Sequence, residues 1–357
     1  MINGSPRILV IKLRYLGDVL LTTPVFGALR AHFPEAFIAA AVNRGTETML
    51  TDNPAIDRIF TVETDSELLA DIRKQFRLIK EIRSFDFDTV LDLTWSDRAA
   101  VLSFLSGAKK RFSYKPKRKR LFSRSLLFTD LIDIPQKLHT VKRHLAMATA
   151  LGCPSIPAKP TLYWSSKDGT ECEEIMRDSG LSSDIPYVVI HPTSNAIHKV
   201  WTTEGYAAVC DYLSEKKAMQ TILVCGKDEK EARLNQEICS LAKSHILNFG
   251  GRLSLKQLAV LLSKAVLFIG IDSGPMHMAT AVDTPVLAIF GPSRPWRWGP
   301  CGSENIVIQK KWDCVPCGKK GCRNDGRESR CLSELTPDEV IPVIESKLAQ
   351  ISRQHSP

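Results

Sequence analysis

The sequence predicts an α/β protein built from two doubly wound parallel sheets. Apolar runs of strand length alternate with amphipathic helical segments, and parallel neighbours need such crossover helices. A length of 357 residues exceeds what one hydrophobic core usually organises, which favours two domains. The alternation pauses at 152–160, where three prolines suit a linker, and then begins again. We therefore predict one domain in residues 1–160 and a second in residues 161–335.

The first predicted domain opens with a strand and a helical segment that contains a proline. The run RILVIKL at 7–13 has the length and apolarity of a buried parallel strand. Pro24 lies inside the next amphipathic segment and either kinks one helix or follows a cap at Thr23 that begins a second helix. Further strands are predicted at 37–42, 56–62 and 87–93, and helices at 71–83 and 138–151.

A basic segment at 109–124 interrupts this alternation. It holds nine Lys and Arg residues and no acidic residue, with Phe112, Tyr114 and Phe122 interleaved. Its like charge and Pro116 favour an exposed loop. Basic and aromatic residues together also suit single-stranded nucleic acid, so a nucleic-acid-binding protein is a rival interpretation of this segment.

The second predicted domain repeats the order of strand and helix. Strands are predicted at 187–190, 221–225, 245–249, 266–271 and 286–290, and helices after Thr202, after Glu229 and at 254–263. A final helix begins with Thr336 as its cap and carries an apolar stripe. The tail 336–357 could therefore pack back on the first domain.

The stretch 266–293 has the pattern of a phosphate-binding βαβ unit. An apolar strand ends at Asp272, after which Ser273 suits an N-cap, Gly274 permits close approach of another backbone, and Pro275 suits the first helical turn. Ligands of open α/β sheets bind where strands end and helices begin, and a helix N-terminus favours phosphate. An ordinary crossover with a capped helix would show the same DSGP turn.

Composition and charge narrow the class of protein. The formal charge of +9, from 48 basic and 39 acidic residues, favours an anionic partner such as a nucleic acid, an acidic lipid or a nucleotide. No apolar run approaches the roughly 20 residues that span a bilayer. The N-terminus lacks the features of a signal peptide, so we expect a cytoplasmic protein.

Five of the ten cysteines fall within 301–331, at positions 301, 314, 317, 322 and 331. The first close pair has metal-like spacing, but the remaining gaps do not match a standard four-cysteine zinc motif. A reduced structural loop, a zinc site and disulfides are the alternatives, and disulfides are least expected in the cytoplasm.

Three segments carry a resemblance to a known enzyme family. They read IKLRYLGDVLLTTPVFGALRAHFP near the start, HPTSNAIHKVW in the middle, and IGIDSGPMHMATA with IFGPS late. In this order, and across nearly the whole chain, they resemble the ADP-heptose:lipopolysaccharide heptosyltransferases of glycosyltransferase family 9. The form LGDVLLTTPV is most similar to the heptosyltransferase III group, which adds a branching third heptose to the inner core.

The resemblance implies a GT-B fold, in which two Rossmann-like doubly wound domains face a central cleft. It implies an inverting transfer of L-glycero-D-manno-heptose from ADP-heptose, without a metal ion or another cofactor. The acceptor would be heptosylated Kdo-lipid A at the cytoplasmic face of the inner membrane, an anionic surface. No nucleic acid is expected as a partner, and a family member acting on another cell-surface glycan is the rival within enzymes.

By this resemblance Asp18, in a Gly-Asp turn, matches the general base that takes the proton of the acceptor hydroxyl. The alternative is that Asp18 caps the following helix. Thr193, Ser194 and Lys199 match the segment that holds the donor phosphates, with one extra residue before the lysine. Lys199 would stabilise the charge that develops on ADP, or would be an ordinary surface cation.

The second donor segment of the family matches Asp272, Ser273, Gly274 and His277. His277 lies one turn into the expected helix, although an isolated histidine there could also be a core residue. Leu253 matches a position beside the adenine. Lys227, Asp228 and Glu229 lie where the family has a ribose-binding acid, and Asp228 is the candidate selected among them.

Overall fold

The computed structural model describes residues 5–63, 68–116, 124–135, 137–323 and 325–354. The chain divides into two compact units, Met1–Tyr163 and Trp164–Pro357. The division lies close to the predicted boundary at residue 160. None of the helices in the described ranges has the length and apolarity needed to cross a membrane.

The described part of the first unit is a parallel sheet with crossover helices. Its strands are β1 (Arg7–Lys12), β2 (Phe37–Asn43), β3 (Arg58–Val62), β4 (Thr89–Asp92), β5 (Lys110–Tyr114) and β6 (Asp130–Ile132). Its helices are α1 (Leu16–Leu20), α2 (Thr23–His32), α3 (Leu68–Arg83), α4 (Asp97–Leu105) and α5 (Thr140–Thr149).

The strand order of this sheet is β3-β2-β1-β4-β5-β6. Every neighbouring pair is parallel, so the predicted doubly wound sheet is confirmed. The order reverses between β1 and β4, where Ile11 pairs with Asp92. In this class of sheet, ligands bind at such a switch point, outside the carboxyl ends of the strands.

The predicted exposed loop at 109–124 is wrong for its first part. Lys110–Tyr114 forms β5, which pairs with β4 and β6, and residues 117–123 lie outside the described ranges. Phe112 and Ser113 are buried while Lys110 is exposed. The many basic residues predicted a loop, but a lysine can keep its ammonium in water while its backbone pairs in a sheet. High charge therefore did not exclude a strand here.

The segment around Pro24 forms two helices rather than one kinked helix. Thr22 occupies the N-cap position of α2, Thr23 is the first helical residue, and Pro24 follows it. Pro is accepted there because the first turn has no use for its missing N–H. A second helix therefore begins here, as one of the two alternatives predicted, but its cap position is Thr22 rather than Thr23.

The second unit repeats this arrangement. Its strands are β7 (Tyr187–His191), β8 (Gln220–Leu223), β9 (Ile246–Asn248), β10 (Leu267–Ile271), β11 (Val286–Ile289) and β12 (Ile306–Ile308). Its helices are α6 (Ser166–Asp178), α7 (Thr203–Lys217), α8 (Glu229–Leu241), α9 (Leu255–Ser263), α10 (Gly274–Ala281), α11 (Pro295–Trp298), α12 (Arg330–Ser333) and α13 (Pro337–Gln354).

The second sheet has the order β12-β11-β10-β7-β8-β9 and is parallel throughout. Its switch point lies between β7 and β10, where His191 pairs with Gly270. The apolar stripe of α13, including Val340, Ile344 and Leu348, is buried in the core of this same unit. These side chains are therefore covered within the second unit, and a contact of the tail 336–357 with the first domain stays a prediction.

Candidate active site

The two segments matched to donor binding meet at the switch point of the second unit. Thr193 and Ser194 follow β7, while Asp272 and Ser273 follow β10. Both strands are fully buried, so their shared edge is fixed by the core beneath it. The sequence places polar groups only where these apolar strands end, and the fold thereby gathers them at one edge.

Lys199 and Asp272 form an ion pair at this edge. Lys199 ends a short 3-10 turn, Ile197–Lys199, and its Nζ lies 2.7 Å from Asp272 Oδ2. Asp272 is 9% exposed. The interpretation of Lys199 as an ordinary surface cation is therefore wrong, because a nearly buried carboxylate fixes its ammonium two residues before α10 begins.

A buried histidine connects the two strand ends. His191 Nε2 lies 3.4 Å from Thr193 Oγ1, and His191 Nδ1 lies 3.3 Å from Ser273 Oγ. Thr193 Oγ1 donates its own proton to Glu231 Oε2 at 3.0 Å. Since that hydroxyl has one proton, His191 Nε2 must donate to it, and Nδ1 is left to accept from Ser273. Burial lowers the pKa of His191 to about 4, so the ring is neutral at pH 7.

Ser273 occupies the predicted N-cap position of α10 in a different role. Within the described structure its side chain makes no capping hydrogen bond to the helix, and its hydroxyl faces His191 instead. Gly274 and Pro275 open the helix, and His277 is buried one turn later. The first N–H groups of a helix attract anions, so this end of α10 suits a phosphate.

The remaining donor candidates follow the neighbouring strands β8 and β9. Asp228 is the N-cap of α8, where its carboxylate accepts the backbone N–H groups of Lys230 and Glu231. Leu253 is half-buried and directly precedes Ser254, the N-cap of α9. Both lie in loops at the carboxyl edge of the sheet. A contact of either with ribose or adenine stays a prediction.

Asp18 lies at the corresponding edge of the first unit. It is inside the first turn of α1, whose N-cap position is Tyr15, so Asp18 does not occupy the cap position that the alternative gave it. Its Oδ1 lies 3.6 Å from Lys12 Nζ, and its side chain is 20% exposed. A carboxylate in this place can take a proton from a hydroxyl that enters from solvent.

Two buried ionisable residues, Lys12 and Asp92, end the neighbouring strands β1 and β4 at this edge. Burial lowers the pKa of Lys12 to about 8, and burial raises the pKa of Asp92 to about 6. Asp92 ends β4 and accepts hydrogen bonds from Thr94 N at 2.8 Å and Ser113 Oγ at 3.0 Å. Buried groups with opposed shifts are typical of sites that move protons.

The cysteine-rich segment packs beside the turn that carries Lys199. Ser329 Oγ donates to the carbonyl of His198 at 2.8 Å, and Gly318 N donates to the carbonyl of Pro292. No disulfide bond joins any of the ten cysteines, all of which lie in the described ranges. Among the described residues, no group of three or more His, Cys, Asp or Glu side chains could hold a metal ion.

Sequence reasoning missed Lys12, Asp92, His191 and Glu231 as site residues. The first three share one signal, since each is the last residue of a strand that is otherwise mostly apolar. A polar residue at the carboxyl end of a buried parallel strand lies where ligands bind. Glu231 carries no comparable signal, because its role depends on the fold bringing α8 towards Thr193.

Comparisons with known proteins agree with this picture. Residues 75–327 match the family model of glycosyltransferase family 9 (heptosyltransferase). The chain is 32% identical to lipopolysaccharide heptosyltransferase 3 of Escherichia coli strain K12, over 95% of this chain and 97% of that protein.

Solved structures with the same fold cover nearly the whole chain. The glycosyl transferase family 9 protein of Veillonella parvula has a TM-score of 0.84 at 23% identity and covers 98% of this chain and 99% of its own. The Escherichia coli ADP-heptose lipopolysaccharide heptosyltransferase II has a TM-score of 0.78 at 22% identity and covers 96% and 99%. The predicted GT-B class is confirmed, and the chain is a glycosyltransferase that belongs to glycosyltransferase family 9, the heptosyltransferase family.

Proposed function

We propose that this enzyme transfers L-glycero-D-manno-heptose from ADP-heptose to the lipopolysaccharide inner core, adding the branching third heptose. The acceptor oxygen attacks the anomeric carbon, the bond from that carbon to the diphosphate breaks with inversion, and ADP leaves. The relationship to a lipopolysaccharide heptosyltransferase 3 over nearly the full length of both chains supports this choice of substrate.

The Lys199–Asp272 pair before α10 is the observation that carries the donor half of the proposal. An ammonium fixed by a nearly buried carboxylate and the N-terminus of a helix are gathered at one strand end. Negative charge develops on the diphosphate as the sugar bond breaks, and groups already in place for that charge lower the barrier. Thr193, Ser194, Ser273 and Gly274 complete the phosphate contacts in this proposal. Thr193 and Ser273 contribute their backbone N–H groups, because their hydroxyl protons go to Glu231 and His191.

Asp18 is the proposed general base. It is the partly exposed carboxylate above Lys12, and it receives the proton of the acceptor hydroxyl. His277 and Leu253 are assigned to the sugar and the adenine, and Asp228 to the ribose.

We also propose that transfer is independent of a divalent cation. Lys199 and the α10 dipole supply positive potential where the diphosphate leaves, which is the role of a metal ion in other transferases. Activity should survive EDTA. Loss of transfer that magnesium or manganese restores would overturn this part of the mechanism.

The proposed acceptor side faces an anionic lipid surface at the cytoplasmic face of the inner membrane. In the described part of the basic segment, Lys109, Lys110 and Lys115 are exposed. Phe104 and Leu126 are 51% and 78% exposed, and the Arg111 guanidinium lies 5.6 Å from the centre of the Phe104 ring. Exposed apolar groups among basic ones suit the interface of an anionic membrane, and nucleic acid is not the proposed partner.

The deciding experiment incubates the purified enzyme with ADP-heptose and inner-core acceptors that lack successive heptoses. Mass spectrometry should show one heptose added only to the acceptor that already carries two. Addition to another acceptor would correct the linkage. No addition to any inner core, combined with transfer to a different glycan, would support the rival within the family and overturn the proposed substrate.

A further inference from the structure

Lys12 is a buried lysine whose ammonium contacts three acceptor groups. Its Nζ lies 3.1 Å from the carbonyl oxygen of Leu93, 3.3 Å from His144 Nε2 and 3.6 Å from Asp18 Oδ1. Lys12 is 5% exposed. Because an ammonium has three protons and they point in fixed directions, these contacts determine where its charge lies relative to Asp18.

The contact with His144 continues to a tyrosine. An ammonium can only donate, so His144 Nε2 accepts from Lys12 and Nδ1 carries the proton of the neutral ring. That Nδ1 lies 2.6 Å from the hydroxyl of Tyr114, which therefore accepts from it. The Arg143 guanidinium lies 5.3 Å from the centre of the Tyr114 ring and restrains it further.

We propose that Lys12, held by His144 and Tyr114, is a positioning residue that fixes the Asp18 carboxylate for proton transfer. This inference rests on the proposed role of Asp18. Helix α1 has five residues, too few to orient a side chain by its own stability, and the Lys12 contact is the salt bridge that reaches Asp18.

The proposal gives the unusual pairing a chemical purpose. An ammonium beside the base stabilises its negative charge before reaction, and the neutral His144 adds no positive charge to repel that ammonium. Lys12 is faced by Asp18 from α1, Arg14 from the following loop, Asp92 from β4 and His144 from α5. Displacement of a reacting group by about 1 Å can cost about 10²-fold in rate.

The test compares variants of the full-length enzyme in transfer assays with ADP-heptose and the inner-core acceptor that the wild type modifies. Lys12→Gln should lower kcat about 10²-fold while the donor KM stays within twofold. His144→Leu should lower kcat about tenfold. His144→Gln places an amide oxygen where Nε2 lies, so it can still accept from Lys12 and should retain most of the activity.

Two further measurements separate positioning from a loss of folding. Tyr114→Phe should lower kcat several-fold, because it removes the hydroxyl that His144 Nδ1 contacts. Tyr187→Phe is the control and should not lower kcat, since the Tyr187 hydroxyl donates to the Leu261 carbonyl at 2.7 Å within the second unit. Wild-type kcat should fall as pH rises through about 8, where Lys12 loses its proton. The alkaline fall should be absent in Lys12→Arg, since arginine keeps its charge.

The outcomes distinguish this inference from the proposed function. If Asp18→Asn retains activity, the general base lies elsewhere and the proposed function fails in that respect. If Asp18→Asn is inactive while Lys12→Gln and His144→Leu keep kcat within twofold, only the positioning role is overturned. An equal loss in His144→Gln and His144→Leu would also overturn it, because the restored acceptor would then have no effect.

Discussion

The two units have the same strand order but opposite chemistry at their switch points. In the first unit, three ionisable side chains meet there: the buried Lys12 and Asp92, and the partly exposed Asp18. In the second unit a neutral His191 joins two hydroxyl groups, and Lys199 is placed beside the N-terminus of α10.

Under the proposed function, one backbone topology supports two tasks. A carboxylate beside an ammonium suits proton transfer, because each can change the stability of the other's charge. A helix N-terminus and a fixed cation suit an anion that must be held and then released. The fold supplies the edge, and the side chains at the strand ends decide its chemistry.

The largest effect should come from removing Asp18, the proposed base of the first unit. Asp18→Asn keeps the size of the side chain but removes the proton acceptor, so transfer should fall about 10²–10⁴-fold. The variant should melt normally and bind ADP with near-native affinity. Asp57→Asn is the matched control, because Asp57 pairs with Arg30 at 2.7 Å in the same unit. Activity within a few-fold of wild type, together with earlier melting, would assign Asp18 a structural role.

Removing the cation of the second unit should have the next largest effect. Lys199→Gln deletes the charge that we propose faces the leaving diphosphate, and kcat should fall about 10²–10³-fold. It also leaves Asp272 without its cation, so melting must be measured alongside. Lys217→Gln is the control, because Lys217 pairs with Glu345 at 2.8 Å on the surface of the same unit. Equal activity of the two variants would exclude Lys199 from the departure of ADP.

The two switch points also differ in how far sequence could predict them. The apolar strands and the DSGP turn predicted the sheet of the second unit and the position of α10, because buried parallel strands are continuous apolar runs. The Lys199–Asp272 pair joins residues 73 positions apart, so no local pattern could reveal it. In the first unit the motif predicted Asp18 as the base, but the contact between Lys12 and His144 depends on packing across 132 positions.

Local pattern also failed where charge and structure disagreed. Strand β5 was missed because it lies in a segment, 109–124, that is dense in Lys and Arg, although Phe112 and Ser113 are buried. The sequence predicted the N-cap position of Ser273 but not the partner of its hydroxyl. That partner is His191, the last residue of β7, rather than a backbone N–H of α10. Sequence therefore predicted the elements better than the partners of their terminal side chains.

A smaller effect should come from the basic run that we propose contacts the acceptor membrane. The variant replaces Lys117, Arg118, Lys119 and Arg120 with Ser; these positions lie outside the described residues. Each basic residue close to an anionic membrane contributes on the order of 1 kcal/mol, reduced by salt. The apparent acceptor KM should rise about tenfold or more at low salt, with little change in the donor KM.

A charge-matched control distinguishes that location from net charge. It replaces four exposed basic residues on helices of the second unit with Ser: Lys167, Arg177, Lys216 and Arg233. The control should leave the acceptor KM within twofold. If both variants behave alike, or if neither changes KM, the basic run acts only through solubility.

The smallest effect concerns the stability of the two units in mild acid. Burial lowers the pKa of His191 to about 4 in the folded unit. As pH falls below about 6.5, the unfolded chain therefore binds a proton at this residue while the folded unit does not, which lowers the free energy of unfolding. Its contribution is present above that pH and is lost towards pH 4. Asp92 has its pKa raised to about 6, so its folded form binds protons more readily and gains stability as pH falls from 7.

From pH 7 to pH 5.5 each shift is worth about 1 kcal/mol, with opposite sign. The protection of backbone amides, measured as the exchange rate relative to the intrinsic rate at each pH, should therefore fall in β7 and rise in β4. The melting temperature of the whole chain should change little. His191→Gln should abolish the first trend and Asp92→Asn the second, since neither amide titrates in this range. Parallel changes in both strands of the wild type would show that other groups control the acid response, and that the two switch points do not differ in their protonation as their burial requires.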